Sequence, residues 1–153
     1  MIAGIDPSYA KPIAIALWKD KLIATFKFDA ELNHSVVDAL VKIFKSVEKV
    51  YIEDQYFSQN ADTLKKLSRC TGELIGICKM VHTEYELVAP ATWQSRAGLY
   101  GKRPKDLTDY KWKKLKNSML IKAAAKVSNS DPVDEDEASA IMIAYVMSVK
   151  KCK

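Results

Sequence analysis

Five short stretches of the chain read as strands, and four longer ones carry apolar residues at helical spacing. Met1–Asp6 (MIAGID) begins with apolar character from Ile2 and Ile5 and ends in a carboxylate. Gly4 permits close backbone approach, and Pro7 stops the strand because it has no amide hydrogen to donate. Pro12–Trp18 and Leu22–Phe28 flank the polar turn Lys19–Asp20–Lys21 and predict a hairpin. Val37, Leu40, Val41, Phe44 and Val47 recur every three or four residues, so a helix is expected over His34–Val47, capped by Asn33. Lys49–Glu53 (KVYIE) is a short β-rich run that, like the first, finishes in a carboxylate.

Ser58–Met80 predicts a long helix with Ser58 as its cap. Gly72 and Gly76 each weaken it by about 1 kcal/mol against alanine, and their spacing implies close packing against the sheet or a second subunit. Glu84–Ala89 reads as a fifth strand ended by Pro90, followed by a short helix or turn over Ala91–Leu99. Tyr100–Asp109 has the Gly and Pro content of a mobile loop. Tyr110–Val127 returns to helix, and a last helix is expected over Val133–Val149, with Asp131 as cap and Pro132 in its first turn.

The order is three strands, helix, strand, helix, strand, helices. It places the chain in the α/β class, as a mixed five-stranded sheet with helices on both faces and the connectivity of the ribonuclease H-like fold. The helical crossover makes Lys49–Glu53 a parallel neighbour of Met1–Asp6, so Asp6 and Glu53 emerge at the same end of the sheet. At 153 residues, the chain (1–153) is expected to form a single domain.

A formal charge of +5 is a weak pointer to a polyanion, but its distribution says more. Ten basic and two acidic residues lie between Arg96 and Lys126, leaving the remainder net acidic. Cys70, Cys78 and Cys152 have no metal-binding spacing and suggest reduced thiols in a cytoplasmic protein, with Cys70 and Cys78 buried on a helix. No signal-peptide pattern and no apolar run of membrane-spanning length is present, so no membrane partner is expected.

The candidate chemistry lies in the acids. In DEDEASAIMIAYV, Asp134 and Glu137 stand three apart and share a helix face, while Asp136 is a rival to Asp134. Acids in a first helical turn are also favoured by the helix dipole alone. Convergence with Asp6 and Glu53 changes that balance, because crowded carboxylates repel one another unless cations neutralise them. Hard oxygen ligands select Mg²⁺ or Mn²⁺. Two such ions per site can activate water and stabilise the leaving oxygen of a phosphodiester.

With these residues in view, the chain resembles the RuvC-type Holliday junction resolvases. Gly4–Ser8 (GIDPS) resembles that family's GIDPG opening. Ile52–Leu67 (IEDQYFSQNADTLKKL) resembles the segment carrying its second catalytic carboxylate and an NAD-containing helix, here Asn60–Ala61–Asp62. DEDEASAIMIAY resembles its final helix. The resemblance implies catalytic and metal-binding roles for Asp6, Glu53, Asp134 and Glu137, an aromatic stacking role for Tyr56, and phosphate contact by Lys116. Gln94 falls near a second family lysine, a role Arg96 could have taken over. Lys102, Arg103 and Lys105 in the basic loop, with Lys111, Lys113 and Lys114 after it, complete the expected DNA-binding set. Three departures stand out: Ser8 for glycine, Glu137 for the common aspartate, and a lengthened basic loop at Tyr100–Asp109.

The implied activity is symmetric, paired nicking of four-way DNA junctions by a metal-dependent homodimeric endonuclease, with the long helix after Glu53 at the dimer contact. A ribonuclease H-like nuclease for flaps or other branched substrates, and a non-catalytic junction-binding protein, are the alternatives. A sugar-kinase or actin-like half is disfavoured, since the glycine-rich phosphate loops and second lobe are missing from the 153 residues.

Overall fold

The computed structural model describes residues 1–54, 60–99 and 101–149. Five strands, β1 (Ile2–Asp6), β2 (Ile13–Trp18), β3 (Leu22–Phe28), β4 (Lys49–Glu53) and β5 (Glu84–Val88), form one sheet in the order β3-β2-β1-β4-β5. β1 pairs antiparallel with β2 and parallel with β4, so the predicted mixed sheet and the predicted parallel neighbours are both found.

Side chains alternate across the sheet and meet two different cores. Ala3, Ile5, Val50 and Ile52 face α1 (His34–Lys45) and α2 (Ala61–Met80). Ala14, Ala16 and Trp18 face the other layer, built from α3 (Pro90–Arg96), α4 (Asp109–Ser128) and α5 (Glu135–Ser148). α5 lies between the sheet and α4 and is buried on nearly every side from Ala138 to Ala144, which explains its all-round apolar composition.

Several helix starts differ from expectation for local reasons. Asn33 caps α1 through a bond to Val36 N at 3.1 Å, as expected. α2 is capped by Asn60, whose carbonyl oxygen accepts from Asp62 N at 3.0 Å; Ser58 and Tyr56 lie outside the described residues. Pro90 does not merely end β5 but opens α3 in its first turn, where its missing amide hydrogen costs nothing. The last helix starts at Glu135 with Asp134 as cap, not at Val133 behind Asp131. Asp134 accepts from Glu137 N at 3.0 Å, and Glu137 reaches back to Val133 N at 2.8 Å. This reciprocal arrangement resembles a capping box and satisfies two otherwise orphaned donors.

Candidate active site

Asp6 and Glu53 stand side by side because β1 and β4 are parallel and in register, with Ile5 opposite Ile52. Both carboxylates project from strand ends onto the α5 side of the sheet. Burial, the neighbouring Glu53 and Asp136 charges and a hydrogen bond with Glu53 push the Asp6 carboxyl well above its ordinary range. Burial also raises Glu53, against the bonds it accepts from Trp93 and Asp6. Burial thus disfavours charge on both carboxyls of the pair.

Gly4 brings the third acid. It precedes Asp6 by two residues and points to the same face. A Cβ there would lie 2.5 Å from the Ala140 carbonyl oxygen and 2.5 Å from Ala144 N. Only the missing side chain lets the α5 backbone settle so closely on β1. Ala140 and Ala144 are one turn apart, and Asp136 is one turn before Ala140 on the same face. Asp136 therefore arrives beside Asp6, and Ser139 hydrogen-bonds it.

Asp134 and Glu137 face the other way, toward β3. Glu137 accepts from Thr25 Oγ1 at 2.5 Å, and Asp134 pairs with the Lys27 ammonium. Burial opposes ionisation of Asp134, but Lys27 and the Glu137 amide hold its pKa below the ordinary value. Of the acids expected to converge, the structure brings together Asp6, Glu53 and Asp136, and engages Asp134 and Glu137 in the helix cap. Lys11 lies beside the site, 3.2 Å from Glu135 and 3.3 Å from Asp136. Partial burial disfavours its charge, yet these two acids keep its pKa raised.

No family model matches the chain, and no curated protein matches it by sequence. Solved structures do. The Thermus thermophilus RuvC structure superposes with a TM-score of 0.65 at 14% identity, over 95% of this chain and 91% of that one. T. thermophilus RuvC in complex with Holliday junction substrate gives a TM-score of 0.66 at 12% identity, over 95% and 90%. The fowlpox virus Holliday junction resolvase gives 0.58 at 17% identity, over 97% and 99%. The fold is that of the RuvC-type resolvases.

On this resolvase fold, α3 and α4 wall the site. Trp93 is buried and donates its indole N–H to Glu53 Oε1 at 3.0 Å, fixing one carboxylate oxygen. A groove of about 380 Å³ runs from Glu53 between α3 and α4, with Lys113 and Lys116 on its wall. Lys116 on α4 reaches across to Gln94 Oε1 on α3 at 3.4 Å. Lys111 and Lys114 are exposed on α4, and Lys102 and Lys105 are exposed in the preceding loop, where Arg103 pairs with Asp109. Arg96 is turned away, its guanidinium on Met147 Sδ at 3.0 Å, near the far end of α5.

Sequence reasoning missed Trp93, Ser139, Lys11, Thr25 and Lys27. Ser139, Ala140 and Ala144 did carry a signal: small residues at helical spacing after Asp136 match the face that must approach Gly4.

Asp6 and Glu53, both with raised pKa, are oxygen donors of the kind a hard divalent cation takes, and Asp136 is the nearest candidate for a third. Among the described residues, no three acidic, His or Cys side chains already stand at common metal-binding spacing. Asp6 and Glu53 form the closed pair, and Asp136 lies within electrostatic reach.

Proposed function

We propose that this chain is a single-domain, structure-selective endonuclease that resolves four-way DNA junctions by paired nicks. The observation that carries the reading is the pairing of Asp6 with Glu53, Asp136 within electrostatic reach, where Glu53 borders a groove that Lys113 and Lys116 also line. The junction substrate in the complex of T. thermophilus RuvC, which has the same fold, supports the choice of DNA form.

Asp6, Glu53 and Asp136 would hold Mg²⁺ or Mn²⁺, two ions per site, with Asp134 and Glu137 buttressing the helix that carries Asp136. The bound cations supply water activation and stabilisation of the leaving 3′ oxygen. Asp6 and Glu53 would have to act as carboxylates there, so cation binding would compete with protonation of the pair. Trp93 keeps Glu53 oriented. Lys113 and Lys116 attract the phosphate backbone by charge, and Lys102, Lys105, Lys111 and Lys114 extend that field along the DNA. Tyr56 and Arg96 are further DNA-contact candidates by resemblance.

The active form is a two-fold dimer acting in the cytoplasm, matching the approximate symmetry of a junction. The open face of α2 supports its role at the dimer contact: nothing within 4 Å would meet a Cβ at Gly72 or Gly76.

The test is cleavage of a labelled four-way junction in Mg²⁺, in Mn²⁺ and with chelator, beside forks, flaps and RNA–DNA duplexes. Metal-dependent, symmetric nicks preferring the junction are expected. Preference for flaps or hybrids would replace the reading with a general ribonuclease H-like nuclease. Metal-independent binding without cutting would leave a junction-binding protein.

A further inference from the structure

We propose, resting on the resolvase reading above, that the groove between α3 and α4 receives one unstacked nucleobase of the cut strand, with Trp112 as its stacking platform. The two halves of α4 differ on their inward side. In the second half, Ala123, Ala124 and Val127 pack against the core beside α5. In the first half, Trp112, Lys116 and Asn117 are half-buried and line the groove. A helix held only by packing would continue its small apolar residues. This one places an indole, an ammonium and an amide there instead, and inward polar groups are the informative departure.

The chemistry of the walls selects the ligand. A base needs a flat π surface, which Trp112 offers. Its edge needs in-plane donors and acceptors, which Gln94 and Asn117 supply from opposite helices. Glu53, Glu135 and Asp109 also border the groove, so a phosphate inside would meet repulsion while a neutral base would not. The phosphate then stays at the rim, near Lys113 and Lys116. The volume of about 380 Å³ lies within the range of pockets that enclose one small-molecule-sized group. The bond from Lys116 to Gln94 spans the two helices at 3.4 Å, long enough that an entering base can displace it. Bases at a strand-exchange point are the least costly to unstack, and Glu53 at the end of the groove puts that base beside the scissile bond.

The experiment replaces each nucleotide flanking the mapped nick, one at a time, by an abasic residue. Junction affinity is read in Ca²⁺, so that the DNA stays intact, for the wild type, Trp112→Ala and Trp112→Phe. At one position the abasic residue should weaken wild-type binding roughly tenfold or more. Trp112→Ala should bind the unmodified junction weaker by a similar factor and be indifferent to that abasic residue, whereas Trp112→Phe should keep most of the affinity. If Trp112→Ala does not fold, Trp112→Leu, which keeps apolar bulk without an aromatic face, gives the same reading. A wild type that binds the junction but ignores every abasic substitution overturns this proposal alone, as does a Trp112→Ala variant as sensitive as the wild type. A wild type that shows no preference for a four-way junction overturns the resolvase reading and this proposal together.

Discussion

Replacing Gly4 by alanine tests how the acids are brought together. The new Cβ would sit 2.5 Å from the backbone of both Ala140 and Ala144 and 2.9 Å from the Ala144 side chain, where ordinary contact begins near 3.4 Å. Neither strand nor helix can answer with a rotamer change, because the clashing atoms are mainly backbone. α5 must retreat from β1 by about 1 Å. Overpacking of this kind costs about 1–3 kcal/mol, which for a domain of this size lowers Tm by about 3–10 °C. The same movement draws Asp136 and Ser139 away from Asp6, and a misplacement of about 1 Å in a catalytic constellation can cost about 100-fold in rate. Thermal unfolding followed by circular dichroism and single-turnover junction cleavage measure the two effects. Gly72→Ala is the control for unfolding of the single protomer: within the chain its Cβ meets nothing within 4 Å, so the helix should gain up to about 1 kcal/mol. A Gly4→Ala protein that melts and cuts like the wild type would refute the close-approach reasoning.

Asp6 binds its proton more tightly folded than unfolded, so its contribution to stability is full below the unfolded value of 3.8 and is lost as pH rises through the raised folded value. In chelator, Asp6→Asn should therefore melt higher than the wild type at pH 8, and the advantage should vanish near pH 3; equal melting temperatures at pH 8 would contradict it. Asp134→Ala removes the α5 cap and should cost about 1 kcal/mol in urea unfolding; no loss would deny the capping role. Burial pushes the Cys70 and Cys78 thiols up to about 11 and about 12, so neither should react with a thiol reagent at pH 8 until the protein unfolds.

Much of this site was legible in the chain. Period-two runs ending in Asp6 and Glu53, joined by a helical crossover, predicted two carboxylates at one end of a parallel pair, and they are there. Gly4 before Asp6 permitted a close approach, and α5 makes it. The phase of α5 was not legible. Four consecutive acids, Asp134–Glu137, present an acid to every side of a helix, so their spacing cannot say which one faces β1. The fit of Ala140 and Ala144 onto Gly4 decides it, and that is a tertiary fact. The capping bonds of Asp134 and Glu137 were open to a reading from dipole and cap preference, but one turn later than Asp131 suggested. Trp93 could not be linked to Glu53 in advance, because the two are 40 residues apart and meet only through the β5–α3 turn. The surroundings of Arg96 were not legible either: its guanidinium rests on Met147 Sδ, 51 residues away along the chain, a contact that only the packing of α3 beside α5 creates.

Junction cleavage by Asp136→Asn, set beside Asp134→Asn under the same Mg²⁺ conditions, probes the proposed metal centre most directly. Asp136→Asn should lose about 100-fold or more in rate while keeping its fold, and Asp134→Asn should cut within a few-fold of the wild type. Full activity in Asp136→Asn with a dead, folded Asp134→Asn would contradict the assignment of the site.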